Sequence, residues 1–108
     1  MAKRHDALAE RLRTLLAGRD VREVNMFGGL SFMVDNRMLV AARRDGDLLV
    51  RIDPSRHDEL LQHPGARDSI MGADRPMGPG WITVSGLHLE TAEELAFWTQ
   101  IGLDHHSA

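Results

Sequence analysis

Six histidines are the first candidates for a functional site in this sequence, because imidazole is a common ligand of zinc and other transition metals. They are His5, His57, His63, His88, His105 and His106. His57 and His63 are six residues apart, which places them on different faces of a helix, and no HExxH pair or comparable ligand spacing occurs. The sequence therefore predicts no metal site, and nothing in it indicates a cofactor.

Covalent and acid–base catalysis find no more support. The chain has no cysteine, and no serine stands in a nucleophile-elbow sequence. The carboxylate pairs Asp58-Glu59 and Glu93-Glu94 are adjacent on predicted helices, where neighbouring side chains diverge by about 100°. Neither pair can point two carboxyl groups at one substrate, so we expect a protein that is not an enzyme.

The glycine-rich stretches also lack the form of a phosphate-binding loop. Gly28-Gly29 follows Phe27 and precedes a predicted strand, whereas phosphate loops open a helix. The loop from residue 72 to residue 80 has no P-loop lysine and no G-x-G-x-x-G spacing, and Arg75 within it is expected to be solvated. We expect Gly28-Gly29 to serve the backbone, as a bulge or bend where the chain enters the sheet.

A basic patch is the alternative that points to nucleic acid. Arg43-Arg44 at a hairpin end and Arg51 on the outer face of a strand could contact phosphates. The net charge of −3 and the absence of tyrosine weaken this hypothesis, since single-strand binders combine charge with aromatic platforms. The competing interpretation pairs Arg51 with Asp47 or Asp53.

Adaptable apolar residues in glycine-rich surroundings give the leading candidate for a functional surface. The turn at residues 26–29 and the loop at residues 71–81 combine such residues, as protein-binding surfaces do. The members of this predicted surface are Phe27, Gly28, Gly29, Met71, Gly72, Arg75, Met77 and Trp81. The alternative interpretation is that these residues close one end of the core.

The central stretch of the chain, residues 26–52, has the pattern of three short strands joined by two tight turns. Leu30, Phe32 and Val34 alternate with polar or opposite-facing neighbours, and the stretch at residues 48–52 repeats the pattern, as half-buried strands do. Asp35-Asn36 and Asp45-Gly46 separate the strands, and both pairs fit two-residue primed turns. An antiparallel meander is the result.

The flanking sequence predicts helices and further strands. Predicted helices are residues 6–17, with a leucine stripe at positions 8, 12, 15 and 16 and a stop at Gly18; residues 54–63, capped by Asp53 with Pro54 first; and a helix after the Thr91/Glu94 capping box. Additional strands are predicted at residues 21–26, 69–71 and 81–84, and residues 104–108 are expected to fray. The last helix should bury Leu95, Trp98 and Ile101.

The predicted fold is α+β, in the order α-β-β-β-β-α-β-β-α, with an antiparallel sheet of about five to six strands and helices on one face. A length of 108 residues and 43% hydrophobic content fit one soluble domain over residues 1–108. The N-terminus lacks the apolar core of a signal peptide, and no run approaches the ~20 apolar residues of a membrane span. We therefore expect a cytoplasmic protein without a membrane partner.

A set of ordered motifs resembles the TfoX/Sxy N-terminal domain family from about residue 20 to residue 103. The motifs are Met26-Phe27-Gly28-Gly29, Phe32-Met33-Val34-Asp35, Arg37-Met38-Leu39-Val40, Leu48-Leu49-Val50-Arg51, Met71-Gly72, Arg75-Pro76-Met77 and Gly80-Trp81. Asn36 stands where the family usually has glycine, and asparagine tolerates the same backbone.

The resemblance implies an α+β fold shared with small secretion-chaperone-like domains. It also implies a role related to regulators of natural competence, which assist the cyclic-AMP receptor protein at promoters and carry a second, helical domain that these residues do not include. It implies no catalytic residue. We expect a regulatory or protein-interaction module whose partner is a protein. The alternatives are a nucleic-acid-binding domain and a small-molecule-binding domain or enzyme of unknown reaction, and the choice between monomer and homodimer stays open.

Overall fold

A six-stranded antiparallel sheet, whose strands in spatial order are residues 22–26, 29–34, 37–43, 48–51, 81–84 and 66–68, organises the computed structural model, which describes residues 4–26, 29–71 and 75–107. The elements are α1 (Arg4–Leu15), β1 (Arg22–Met26), β2 (Gly29–Val34), β3 (Arg37–Arg43), β4 (Leu48–Arg51), α2 (His57–Leu60), β5 (Ala66–Asp68), β6 (Ile70–Met71), β7 (Arg75–Pro76), β8 (Trp81–Val84) and α3 (Ala92–Ser107). Strands β6 and β7 form a separate small hairpin. The α+β class and the antiparallel sheet are confirmed.

The turn between β2 and β3 has the predicted form. Asp35 and Asn36 have φ angles of 51° and 65°, and a type I′ turn requires a left-handed conformation at both central positions. Asparagine and aspartate reach that region at lower cost than other non-glycine residues. The two-residue connection fixes the register of the hairpin and therefore decides which side chains point toward the helices.

The prediction of a two-residue turn at Asp45-Gly46, between β3 and β4, is wrong. The Arg43 N–H donates to the Asp47 carbonyl at 2.9 Å, so the loop holds three residues. Within it only Gly46 has a positive φ, 92°. The Asp45 carboxylate accepts from the Asp47 N–H at 3.0 Å, a side-chain turn that favours the longer loop.

Strand β3 carries a bulge that tightens its contact with α3. The register between β2 and β3 shifts after Phe32, which leaves Leu39 as the additional residue, and both Leu39 and Val40 join the core beneath the helices. Gly102 of α3 lies against this bulge, where a Cβ would stand 3.1 Å from the Leu39 carbonyl oxygen. The lack of a side chain at Gly102 thus lets the helix approach the sheet closely.

The main core lies between the sheet and the helices, on the side we call the helix face. Its largest fully buried members are Phe32, Leu12, Leu39, Leu48, Ile52, Leu60, Ile82, Leu89 and Leu95. Trp98 and Ile101 of α3 also belong to it, as predicted. Leu15 does not follow the predicted stripe: it is 38% exposed, because Leu16 takes the buried position after α1 ends.

Side-chain caps start α3 and the 3-10 turn Pro54–Arg56 that leads into α2. The helix predicted at residues 54–63 is therefore this turn followed by the short α2. The Asp53 carboxylate accepts from the Ser55 N–H at 2.9 Å, and this bond lowers the pKa of Asp53. The Thr91 hydroxyl accepts from the Glu94 N–H at 3.1 Å, which confirms that half of the predicted capping box. Residues 104–107 were expected to fray, and this expectation is wrong because they belong to α3, which ends at Ser107.

The segment after α2 contains the predicted short strand at residues 69–71 as β6 (Ile70–Met71), which pairs with β7 and not with the main sheet. The strand that joins the main sheet here, β5 (Ala66–Asp68), pairs with β8 and was not predicted. Gly65, at φ 83°, turns the chain into β5. The buried Ser69 hydroxyl then bonds that of Thr83 at 2.9 Å, and β6 continues into the separate hairpin with β7.

Arg13 of α1 and Glu23 of β1 form a two-point ion pair that joins the first helix to the edge strand. The Nε and Nη2 atoms of Arg13 donate to the two carboxylate oxygens of Glu23, at 2.9 and 2.6 Å. Arg13 also contacts Glu10, one helical turn earlier. The hydrogen bond from Arg13 lowers the pKa of Glu23, and the hydrogen bond to Glu23 raises the pKa of Arg13.

We predict that Glu23→Gln lowers the free energy of unfolding at pH 7 by at most about 1 kcal/mol, because the Arg13 and Glu23 side chains are 40% and 34% exposed. The pKa of Glu23 is lowered from 4.5 on folding, so the contribution is complete above that pH. It is lost as the pH falls through the folded-state pKa. Urea denaturation at pH 7 and pH 3 should show a difference between the two proteins that shrinks in acid. Glu90→Gln is the control, and an equal difference at both pH values would contradict the assignment.

Candidate interaction surface

A second apolar cluster lies on the sheet face opposite the helices, which we call the far face. It contains the buried side chains of Met33, Met38, Ala41 and Leu49, and Val24, Met77 and Trp81 pack against it. The alternation of β2, β3 and β4 sends these residues away from the helix core. The described side chains that pack over this cluster include a loop methionine, Met77, and a strand tryptophan, Trp81. Near the end of α3, Gly102, His105 and His106 line a small pocket together with Met38 and Arg51.

Trp81 and Arg51 stand side by side on the far face. They are direct partners in the register of β8 against β4, and the guanidinium carbon lies 6.0 Å from the indole ring centroid. That distance is at the outer limit of a cation–π contact. Both side chains are half-buried, so the indole is fixed from below by the methionine cluster and flanked by a cation.

The β6–β7 hairpin lies next to this cluster and offers an exposed apolar side chain. The Met77 N–H donates to the Ser69 carbonyl at 2.9 Å, which ties the residue after β7 to the base of β6. Ile70 is 51% exposed, and Arg75 on β7 is also exposed. The hairpin thus presents one aliphatic and one cationic side chain beside the half-buried Met77.

The predicted surface is described only in part. Phe27, Gly28 and Gly72 lie outside the described residues, and only the backbone of Met71 is described. Of the others, Met77 and Trp81 are brought together against one cluster. The far face around Met77, Trp81 and the β6–β7 hairpin is therefore the described part of the candidate surface.

Gly29 has the backbone role that the sequence analysis expected for the glycine pair. It begins β2 directly opposite Arg43. A Cβ at Gly29 would stand 2.0 Å from the Ala42 carbonyl oxygen and 2.6 Å from the Arg43 Cα. Real Cβ atoms do not approach backbone this closely, so residue 29 must lack a side chain for β2 and β3 to pair here.

The arginines proposed as a nucleic-acid contact are not gathered at one place. Strand alternation places Arg43 and Arg51 on the far face but at opposite ends of the β3–β4 hairpin. Arg43 faces Asp47 across the turn, and Asp47 precedes Arg51 by four residues, about 13 Å along an extended strand. Arg44 lies in the turn itself, beyond the end of β3. This spacing does not form one compact basic patch.

The expected ion pair of Arg51 with Asp47 or Asp53 is wrong. The Asp47 carboxylate binds the Arg67 guanidinium and accepts the Gly86 N–H at 2.9 Å. Asp53 accepts from Ser55, as the cap described above requires. Arg51 lies beside Trp81 instead, so the cation is part of the far face and not of a carboxylate network.

Sequence reasoning missed a depression between the end of α2 and the start of α3. It has a volume of about 350 Å³ and is lined by His63, Pro64, Glu93, Glu94, Phe97 and Trp98. The sequence carried one signal for it: Phe97 is adjacent to Trp98 on the helix, so the two rings cannot both point into the core. The partner ring, His63, comes from a separate element.

The described residues include neither a cluster suited to a metal ion nor a helix suited to a membrane. Over residues 4–26, 29–71 and 75–107, no group of three histidine, aspartate or glutamate side chains is placed to hold a metal ion. In the same part of the chain no helix is long and apolar enough to cross a membrane.

The chain is similar to known proteins in sequence and in fold. A family model for the TfoX N-terminal domain matches residues 12–106. Among solved structures, the crystal structure of Deinococcus radiodurans protein DR2400, with a domain described as DUF419, is similar at 23% sequence identity and a TM-score of 0.65. The alignment covers 88% of this chain and 75% of that chain, and it shows the fold alone. A comparison with curated proteins gives no match.

We predict that Gly29→Ala lowers the free energy of unfolding by about 2 kcal/mol or more, because a methyl group at this position overlaps the backbone of β3. Gly80→Ala is the matched control, since its added Cβ would meet nothing closer than 3.8 Å. Urea unfolding followed by circular dichroism measures both. Equal, small losses for the two variants would show that β2 and β3 are farther apart than described.

Proposed function

We propose, from the premise that this chain belongs to the TfoX N-terminal domain family, that it is a competence-related regulatory module that acts by binding another protein. The predicted resemblance is confirmed by the match over residues 12–106. The family supports a regulatory role. That the chain catalyses no reaction is part of the proposal, and the binding surface is argued from the far face.

The observation that carries the proposal is the half-buried indole of Trp81 over a methionine cluster. Tryptophan and arginine are the residues most often found at the energetic centre of protein interfaces, and here Arg51 flanks Trp81. Methionine side chains adapt to irregular partner surfaces, and Met33, Met38 and Met77 all belong to or contact this cluster. A partner that covered the indole would complete the burial of an already ordered apolar surface.

The competing interpretation is that Met77 and Trp81 only close the core, and it predicts a different effect of substitutions in the β6–β7 hairpin. Met77 and Trp81 do pack against buried residues, so their substitution changes both stability and any binding. Ile70 separates the two interpretations because it is 51% exposed. If these residues only close the core, substitution of the exposed Ile70 side chain should change neither stability nor binding. If the hairpin is part of an interface, the same substitution should weaken binding and leave stability nearly unchanged.

We predict that Ile70→Glu weakens the binding of a protein partner at least tenfold while the melting temperature stays within about 4 °C of wild type. The cyclic-AMP receptor protein, indicated by the family, is the first partner to test by biolayer interferometry. Quantitative capture from lysate, with wild type and variant compared, extends the test to other proteins. Trp81→Ala should weaken the same partner and also lower the melting temperature.

Leu87→Glu is the matched control for this prediction. Leu87 is 79% exposed and lies between β8 and α3, away from the far face, so the same apolar-to-acidic change should leave partner binding intact. A partner that is lost equally with both variants, or with neither, would argue against the far face as the interface.

Direct binding of nucleic acid is the weaker candidate, because the arginines it needs are spread along the β3–β4 hairpin. No separate observation favours it over a protein partner.

A further inference from the structure

Three aromatic rings meet in the depression between α2 and α3, and two of the three ring pairs are nearly perpendicular. The Phe97 and Trp98 rings lie 5.2 Å apart between centroids, at 83° to each other. The His63 ring lies 4.8 Å from Phe97 and 5.6 Å from Trp98, at 40° and 78°. The rings therefore form a corner of π surfaces at the depression of about 350 Å³, a volume within the range of small-ligand sites.

The corner is built from parts that the core holds in place. Trp98 is only 3% exposed and packs in the helix-face core, which fixes the ring and the turn of α3 that carries it. His63 follows α2, where its N–H donates to the Leu60 carbonyl at 3.2 Å. Phe97 is 41% exposed, so its ring borders both the core tryptophan and solvent.

The charges around the depression are negative. Glu93 and Glu94 both line it, so the expectation that these adjacent carboxylates cannot face one ligand is wrong. Neither lysine nor arginine is among its described lining residues. Arg11 does reach the start of α3, but it donates to the carbonyls of Glu90 and Thr91. With Ala92 and Leu95 it borders a different pocket, on the opposite side of the helix. The N-terminus of α3 alone would attract an anion, but the two carboxylates oppose that.

We propose that this depression binds a small organic ammonium ion. The faces of aromatic rings carry negative electrostatic potential and attract alkylated ammonium groups, whose methyl groups also make apolar contact with the rings. The exposed Phe97 ring and the exposed His63 side chain offer such contacts, with the buried Trp98 ring behind them. The carboxylates of Glu93 and Glu94 add charge complementarity at the rim. An anion meets repulsion here, and a neutral apolar molecule of the same shape gains only the apolar contact.

Choline and its uncharged isostere 3,3-dimethyl-1-butanol test the role of the positive charge directly. Titration of the wild-type protein with each compound at pH 8, followed by ¹H–¹⁵N NMR, reports on the Trp98 indole and the amides of residues 63, 97 and 98. Choline is expected to shift these signals with a dissociation constant on the order of millimolar, and to bind about three- to tenfold more tightly than the isostere. Equal binding of the two compounds, or no shift with choline, would overturn the proposal.

Phe97→Leu tests the ring itself, because it keeps an apolar side chain of similar size at an exposed position and removes the π surface. It should weaken choline binding about three- to tenfold and leave the weaker binding of the isostere nearly unchanged. Glu93→Gln should weaken choline alone, by a smaller factor. Leu87→Ala, at an exposed site outside the depression, is the control. Unchanged choline affinity in Phe97→Leu would overturn the assignment.

Discussion

Burial of strand β3 on both of its faces is the constraint on which the rest of the structure depends. Residues 38–42 of this strand are all buried, and three of them have no exposed surface. A strand with one polar face needs only one covering layer, but a strand that is apolar on both faces needs two. The helices supply the first layer. On the far face, Met77 and Trp81 contribute to the second, which is why a half-buried tryptophan lies there.

Close backbone packing at two glycines allows both layers to sit tightly on this strand. Gly29 lets β2 pair against the end of β3, and Gly102 lets α3 approach the bulge at Leu39. The bulge turns two successive residues toward the helices, which raises the apolar density of the helix face at the point where α3 crosses it. Larger side chains at either glycine would separate layers that the core needs in contact.

The sequence predicted what depends on local pattern and failed where distant parts of the chain decide. The alternation of apolar and polar residues correctly identified which residues of β2 and β4 face the helices. This pattern is reliable because a shift of one residue would move every side chain of a strand to the opposite face of the sheet. The three-residue turn around Gly46 was missed because the Asp45 side chain competes with the backbone for the same hydrogen bonds. The aromatic corner was missed because the contact of His63 with Phe97 spans 34 residues between separate elements, and no short-range period reports such a contact.

The two candidate surfaces lie on opposite sides of the sheet, and this separation limits how they can influence each other. Trp81 is on the far face, whereas Phe97 and Trp98 belong to the layer on the helix face. A protein on the far face and an ammonium ion at the aromatic corner therefore do not compete for space. Any coupling between them must pass through the sheet and α3, whose packing is too tight to move without cost. Independent binding at the two surfaces is the expectation that follows from this architecture.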